Sequence, residues 1–181
     1  MNKLAQIIIE DAKNSVIGID FKELQNKSVL IVGASGIIGT YFLAGLKNVS
    51  NVKIYAVCQS EPEAYWKEIV DNLNAEIIKG DLCDDLFVNN LPQSDIIIHA
   101  AGYGQPGKFM IDPFKTIKLN TTLTLKLLEK LNTGGKFLFI SSSEVYSGLT
   151  KSPFKETEIG TTNTDHQRSC YVEAKRCGEA I

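Results

Sequence analysis

The sequence predicts an α/β fold: a Rossmann-like, doubly wound parallel sheet of strand order 3-2-1-4-5. Three observations predict it. Short apolar runs alternate with helical patterns five times along the chain. The first run ends in Gly33-Ala34-Ser35-Gly36-Ile37-Ile38-Gly39, and a helical pattern opens directly on it. Strand, glycine-rich turn and helix form the context in which a pyrophosphate is held at a helix N-terminus. Far downstream, Ser141-Ser142-Ser143-Glu144 closes the fifth run, and Tyr171-Val172-Glu173-Ala174-Lys175 lies on the last helix. Right-handed winding brings these segments to one carboxyl edge.

Residues 3–14 read as an amphipathic helix with Leu4, Ile7, Ile8 and Ala12 on one side. Asp20 can cap a further turn through Leu24. Ser28–Val32 is apolar without interruption after its first residue, as suits a strand buried on both faces. In the turn that follows, Gly33 permits the tight bend and Gly36 lets a pyrophosphate approach the backbone. Gly39 lets helix and strand pack closely, and the helix runs through Leu46.

Val52–Cys58 is the second strand. An NAD site commonly places an acid at this strand end for the ribose 2′-hydroxyl. Here the end reads Val57-Cys58-Gln59-Ser60, with no acid before Glu61 and no arginine for a 2′-phosphate. Gln59 and Ser60 are the candidates for the ribose, and NAD and NADP both stay open. Pro62–Leu73 reads as a helix, with Trp66 as a packing residue. Glu76–Lys79 is the third strand, ending in Gly80-Asp81-Leu82. Asp81 is placed either to accept from an adenine amino group or to cap the next turn.

Asp95–Ala100 is the fourth strand, with His99 as a core histidine. Ala100-Ala101-Gly102 is small enough for backbone to lie against a cofactor. A loop over 103–112 follows at the carboxyl end, where such sheets bind ligands. Pro113 opens a helix expected to reach Leu131 and to stop at Gly134-Gly135, with Asn120 bonding across to the neighbouring strand. Lys136–Ser141 is the fifth strand, 147–168 is polar loop, and the last helix starts near Ser169.

Tyr171 and Lys175 are four residues apart, so a helix presents both on one face. An ammonium beside a phenol favours the phenolate and makes tyrosine a usable base near neutral pH. A strand-tip hydroxyl such as that of Ser142 can bond the same substrate oxygen. With the nucleotide turn upstream, these residues point to dehydrogenase-type chemistry.

At 181 residues the chain suits about one domain. We read 1–26 as an N-terminal helical appendage and 27–181 as an NAD(P)-binding domain. A net charge of -2 suggests no nucleic-acid partner. No apolar run approaches the ~20 residues of a membrane span, and the first residues do not resemble a signal peptide. Cytoplasm is the default compartment. Four cysteines without a C-x-x-C pair, and only two histidines, give no metal site.

The ordered set Gly33-x-x-Gly36-x-x-Gly39, Gly80-Asp81-Leu82, His99-Ala100-Ala101-Gly102, Ser141-Ser142-Ser143-Glu144-Val145-Tyr146 and Tyr171-x-x-x-Lys175 resembles the extended short-chain dehydrogenase/reductases, specifically the NAD-dependent epimerase/dehydratase family. Within that family, Asp112–Asn120, the Ser-Ser-Glu before Val145-Tyr146, and Arg168–Arg176 most resemble UDP-glucuronate decarboxylases. A 4-epimerase or 4,6-dehydratase of the same family is the alternative. A non-catalytic dinucleotide-binding module is the reading from another class. The chain departs from the family in the missing acid after strand two and in Ser147-Gly148, where glycine commonly follows the tyrosine directly.

The resemblance implies roles. Tyr171 takes the proton of the sugar 4-hydroxyl as hydride passes to the nicotinamide, and Ser142 bonds the 4-oxygen. Lys175 holds the nicotinamide ribose, and Glu144 positions substrate or assists proton transfer. Gly33, Ser35, Gly36, Ile37, Ile38, Gly39, Gln59, Asp81, Leu82, Ala100, Ala101, Gly102 and Asn120, with Tyr171 and Lys175, line the cofactor. The cofactor is NAD, with NADP not excluded, and the substrate is a nucleotide sugar. The resemblance also implies a homodimer, and further strands and a nucleotide-sugar-binding part beyond Ile181. The expectation is therefore a chain that keeps cofactor affinity with little turnover and that self-associates through uncovered edges.

Overall fold

The computed structural model describes residues 2–71, 73 and 75–181. Met1, Asn72 and Asn74 lie outside the described residues, Asn72 being the one that falls within the helix expected over 62–73. Five parallel strands form one sheet in the order β3-β2-β1-β4-β5. They are β1 (Ser28–Val32), β2 (Lys53–Cys58), β3 (Ala75–Lys79), β4 (Ser94–His99) and β5 (Leu131–Phe139). The chain steps outward from β1 through β2 to β3, then crosses back to β4, so the order reverses between β1 and β4. A sheet of this kind opens a crevice at the carboxyl ends of the two strands that flank such a reversal.

Strand alternation assigns the two faces. Val29 and Ile31 enter one core with Ile54 and Ala56, covered by α1 (Lys3–Ser15), α2 (Ile37–Leu46) and α3 (Ala64–Val70). Leu30 and Val32 enter the other with Val57 and Ile97, covered by α4 (Asp85–Asn89), α6 (Pro113–Asn120) and α7 (Thr122–Leu128). Helix α8 (Ser169–Ala180) packs against α6. In α1 the buried stripe is Ala5, Ile8 and Ala12, while Leu4 and Ile7 are exposed, a rotation of the expected face by one residue. Small side chains at positions 5 and 12 let α1 approach α2 closely, which the bulkier stripe does not.

Two expectations are corrected. The helix over 113–131 is two helices broken at Thr121. Thr116, Thr121 and Thr124 each donate their hydroxyl to the carbonyl four residues back, and Asn120 Nδ2 donates to Thr116 O at 2.8 Å. Such back-bonding competes with the helix ladder and bends it. Asn120 therefore bonds within its own helix rather than across to a strand. The Gly134-Gly135 pair does not stop a helix. It lies inside β5, where the register against β4 jumps from Ser94↔Leu131 to Ile96↔Lys136. A Cβ on Gly135 would stand 2.6 Å from Asp95 O, so the irregular segment packs there only without a side chain.

The loop over 103–112 carries a single-turn helix, α5 (Pro106–Phe109). α4 is capped by Asp84, whose carboxylate accepts from Leu86 and Phe87 N–H. Helix α3 is shorter than the 62–73 pattern and leaves Pro62 ahead of its cap, Glu63.

Candidate functional site

The reversal point carries a cleft of about 190 Å³. Its floor is the glycine turn. Gly33 has φ +79, and a Cβ there would stand 2.7 Å from the Ala100 backbone, so β1 and β4 close on each other only with glycine. A Cβ on Gly39 would stand 2.4 Å from Gly33 O, so Gly39 serves helix–strand packing and not the cleft wall. Gly36 differs: a Cβ would meet only Gly33 O, at 3.3 Å, and the glycine lines the cleft. Gly36 also caps α2 without a side-chain acceptor. The first-turn N–H groups of Ile37 and Ile38 are therefore left for an anion.

Ser35, Gln59, Asp81, Leu82, Ala100, Ala101 and Gly102, all assigned to a cofactor from the sequence, line the cleft. Tyr103 and Lys115 line it too, and sequence reasoning missed both. Asp81 is already engaged: it accepts from Cys83 N–H at 2.9 Å and pairs with Lys115 at 3.3 Å. The Cys83 N–H, and to a lesser degree Lys115, hold its carboxyl below the usual range. The side chains of Ile37 and Ile38 do not line the cleft. They face an apolar cavity of about 510 Å³ among α1, α2 and β4. That cavity is larger, but it lacks the polar groups that orient a nucleotide. Trp66, buried as expected, donates its indole N–H to Ala34 O at 2.9 Å and fixes the turn from the α3 side.

Asn120 and Lys175 approach the cleft at its β4 end, beside Gly102. A Cβ on Gly102 would stand 3.5 Å from Asn120 Oδ1 and 3.9 Å from Lys175 Nζ. Asn120 is fully buried and its Oδ1 accepts nothing, an orphan acceptor at the cleft rim. Lys175 Nζ donates to Ile140 O at 2.6 Å and lies 4.7 Å over the Phe139 ring. Burial pulls its ammonium down from 10.5 to about 8, against the Glu179 carboxylate. The same ammonium is 5.9 Å from the centre of the Tyr171 ring. Tyr171 stacks on Phe109 at 4.5 Å and 9°. His99 is a core residue, with Nε2 2.9 Å from Leu119 O, and burial followed by the Lys175 charge lowers it to about 4.

Ser142 and Glu144 sit on a 3-10 turn, Ser143–Tyr146, that packs against α8. Ser142 Oγ accepts from Glu144 N–H at 3.2 Å and so caps the turn. Arg176 anchors it through two hydrogen bonds to Val145 O, at 2.9 and 2.8 Å. Arg168 pairs with the Glu144 carboxylate and lies 5.6 Å over the Phe109 ring. Sequence reasoning missed Phe109, Arg168 and Arg176 as site-building residues. Arg168 had a signal, since it precedes Tyr171 by one helical turn.

These residues fit a nicotinamide dinucleotide. The turn leaves a ligand room at Gly36, the helix end offers free N–H groups, and an orphan buried acceptor stands where the cleft reaches Lys175. The family model for the NAD dependent epimerase/dehydratase family matches residues 29–181. The chain belongs to that family. UDP-glucuronic acid decarboxylase 1 of Danio rerio is 30% identical over 164 residues, spanning 88% of this chain and 38% of that protein. UDP-glucuronic acid decarboxylase 6 of Arabidopsis thaliana is 33% identical over 165 residues, spanning 86% and 45%. Among solved structures, the epimerase of Methanothermobacter thermautotrophicus superposes with a TM-score of 0.70 at 28% identity, covering 96% of this chain and 49% of that one. The UDP-N-acetylglucosamine 4-epimerase of Methanobrevibacter ruminantium M1 gives 0.69 at 26%, covering 86% and 49%. This family member thus spans less than half the length of these relatives. Among the described residues no helix is long and apolar enough to cross a membrane.

Proposed function

We propose that these residues form the cofactor-binding portion of an NAD(P)-dependent enzyme that transiently oxidises carbon 4 of a nucleotide sugar, with UDP-glucuronate decarboxylase-like chemistry. The single observation that carries the proposal is the meeting at Gly102. There a Cβ on the cleft wall would stand 3.9 Å from Lys175 Nζ, and that ammonium lies 5.9 Å from the centre of the Tyr171 ring. A glycine turn that served packing alone would have no use for a buried ammonium at the far end of its cleft.

Each residue then has a task. Tyr171 is the base for the 4-hydroxyl proton, held in orientation by Phe109 beneath it. Lys175 binds the ribose hydroxyls and fixes charge beside the phenol. Ser142 bonds the 4-oxygen, and Glu144, held by Arg168, positions the sugar or relays a proton. Asn120 Oδ1, without a partner among the described residues, would accept a hydrogen bond from a bound cofactor at the rim. A bound nicotinamide supplies the oxidant and returns the hydride, so no net redox change follows. In the decarboxylase version, the 4-ketone stabilises the carbanion left as carbon dioxide departs. The exposed apolar side chains of Phe114 and Ile117 on α6 and Leu125 on α7 support a homodimer through these helices.

Tyr171→Phe tests the reading. Calorimetric titration of the purified chain should give NAD affinity within about twofold of the parent, because the phenol oxygen makes little of the binding energy. In a protein carrying the sugar-binding part of the fold, the same substitution should abolish turnover, by about 10²–10⁴-fold. Unchanged turnover would remove Tyr171 as the base.

A further inference from the structure

The choice between two dinucleotides is made where the adenosine ribose meets the end of β2. Gln59 lines the cleft there and Ser60 follows, and neither carries charge. The first acid beyond them is Glu61, and its carboxylate is not free. It is clamped between Lys67 Nζ of α3 and Lys79 Nζ of β3, the latter at 2.6 Å. Lys79 stands opposite Cys58 in the parallel register, and two residues further on Asp81 lines the cleft again. The cluster therefore adjoins the strand ends that build the ribose wall, with two positive charges against one negative. Asp81 is neutralised by Lys115, so neither of these carboxylates is left uncompensated at this end of the cleft.

An NAD-selective site uses a free carboxylate in two ways: it holds the 2′-hydroxyl, and it repels a 2′-phosphate. Here the repulsion is missing and two ammonium groups stand in its place. We propose that Lys67 and Lys79 form a 2′-phosphate subsite, with Glu61 as the internal stand-in for the phosphate, so that the cleft accepts NADP at least as well as NAD. The inference rests on the dinucleotide reading of the cleft. Hydrogen bonds from both lysines draw Glu61 down to about 2, as expected of a carboxylate that two ammonium groups share. A phosphate brings more charge and three acceptor oxygens to the same pair. The Glu61 side chain is 56% exposed, so it can swing into water when displaced.

Calorimetric titration of the purified chain with NAD and with NADP, at low and high salt, tests the subsite. Three proteins are compared: the parent, Glu61→Gln, and the double variant Lys67→Gln with Lys79→Gln. All three side chains are about half exposed, so each protein should fold, and circular dichroism checks this. In the parent, NADP should bind as tightly as NAD within about twofold, or more tightly. Glu61→Gln should tighten NADP by about tenfold and leave NAD unchanged, and the double lysine variant should weaken only NADP, by about tenfold. The NADP affinity should also fall more steeply with salt. NADP binding weaker than NAD by clearly more than about twofold in the parent overturns the subsite while leaving the cofactor cleft standing, as does NADP affinity indifferent to the two lysines. Binding of neither dinucleotide overturns the cleft reading and the subsite with it.

Discussion

Lys175 illustrates how one side chain couples folding to chemistry. The residue is 6% exposed, and burial lowers its pKa from 10.5 to about 8. The bond to Ile140 O and the face of Phe139 both favour the charged form, yet burial outweighs them. The unfolded chain keeps this proton up to pH 10.5, whereas the folded chain gives it up near pH 8. Between those values the unfolded state binds more protons, so stability rises with pH across that window. Below pH 8 the full cost of burying the ammonium is present, at most about 3 kcal/mol. Lys175→Met removes this slope, and urea midpoints measured from pH 7.5 to 10.5 should be flatter in the variant than in the parent. The acid limb gives a second readout. His99 is lowered from 6.5 to about 4 by burial first and then by Lys175. Its contribution is present above pH 6.5 and lost as pH falls towards 4. Without the lysine charge the His99 pKa rises towards 6.5, and the loss over that range should be smaller. Equal slopes in both proteins would show that the ammonium is not desolvated.

The three glycines of the nucleotide turn do different work, and substitution separates them. Gly39→Ala places a methyl 2.4 Å from a backbone oxygen that cannot move, so the variant should unfold or lose several kcal/mol, about the 1–3 typical of overpacking or more. Gly36→Ala meets only one atom at 3.3 Å, so thermal melting should shift little while the methyl occupies the approach of the pyrophosphate. NAD affinity should then fall by about tenfold or more at nearly unchanged stability. Equal loss of stability in both variants would mean that Gly36 serves packing and not a ligand. This turn and the five strands were legible in the sequence because their signals are local: continuous apolar runs, alternating faces, and glycines at fixed offsets. The break at Thr121 was not legible, because a threonine that bonds its own helix looks in sequence like any other helical residue. Gly134-Gly135 carried two meanings, helix stop or irregular strand, and only pairing with β4 decides between them. At the site, much of the cleft wall was legible, but Tyr103 and Lys115 were not, and the side chains of Ile37 and Ile38 turn away from it. Phe109 under Tyr171 and Arg168 on Glu144 join segments far apart in the chain. No local pattern announces such a contact.

At the scale of the molecule, helices α6 and α7 present an uncovered apolar stripe. Phe114 is 85% exposed and Ile117 43%, one turn apart on α6, and Leu125 is 52% exposed two turns further on across the break. Ile111, at 83%, extends the stripe at its N-terminal end. A stripe of this kind at helical spacing is expected to be covered, and a second copy with the same stripe is self-complementary about a two-fold axis. The competing route to association is the sheet edge. Strands β3 and β5 are the outer strands, and each shows one large apolar side chain, Ile77 at 41% and Leu138 at 42%. The two routes differ in what a charge on α6 does. Phe114→Glu buries two carboxylates in a symmetric helix interface and removes two aromatic rings. Taking about 2 kcal/mol per copy, the dimer Kd should rise roughly 10³-fold. Light scattering at increasing protein concentration should then show a dimer for the parent and a monomer for the variant, with NAD affinity retained because Phe114 does not line the cleft. A variant that keeps the parental mass would assign association to the strand edges, and substituting Leu138→Lys on β5 should then be the change that dissolves it.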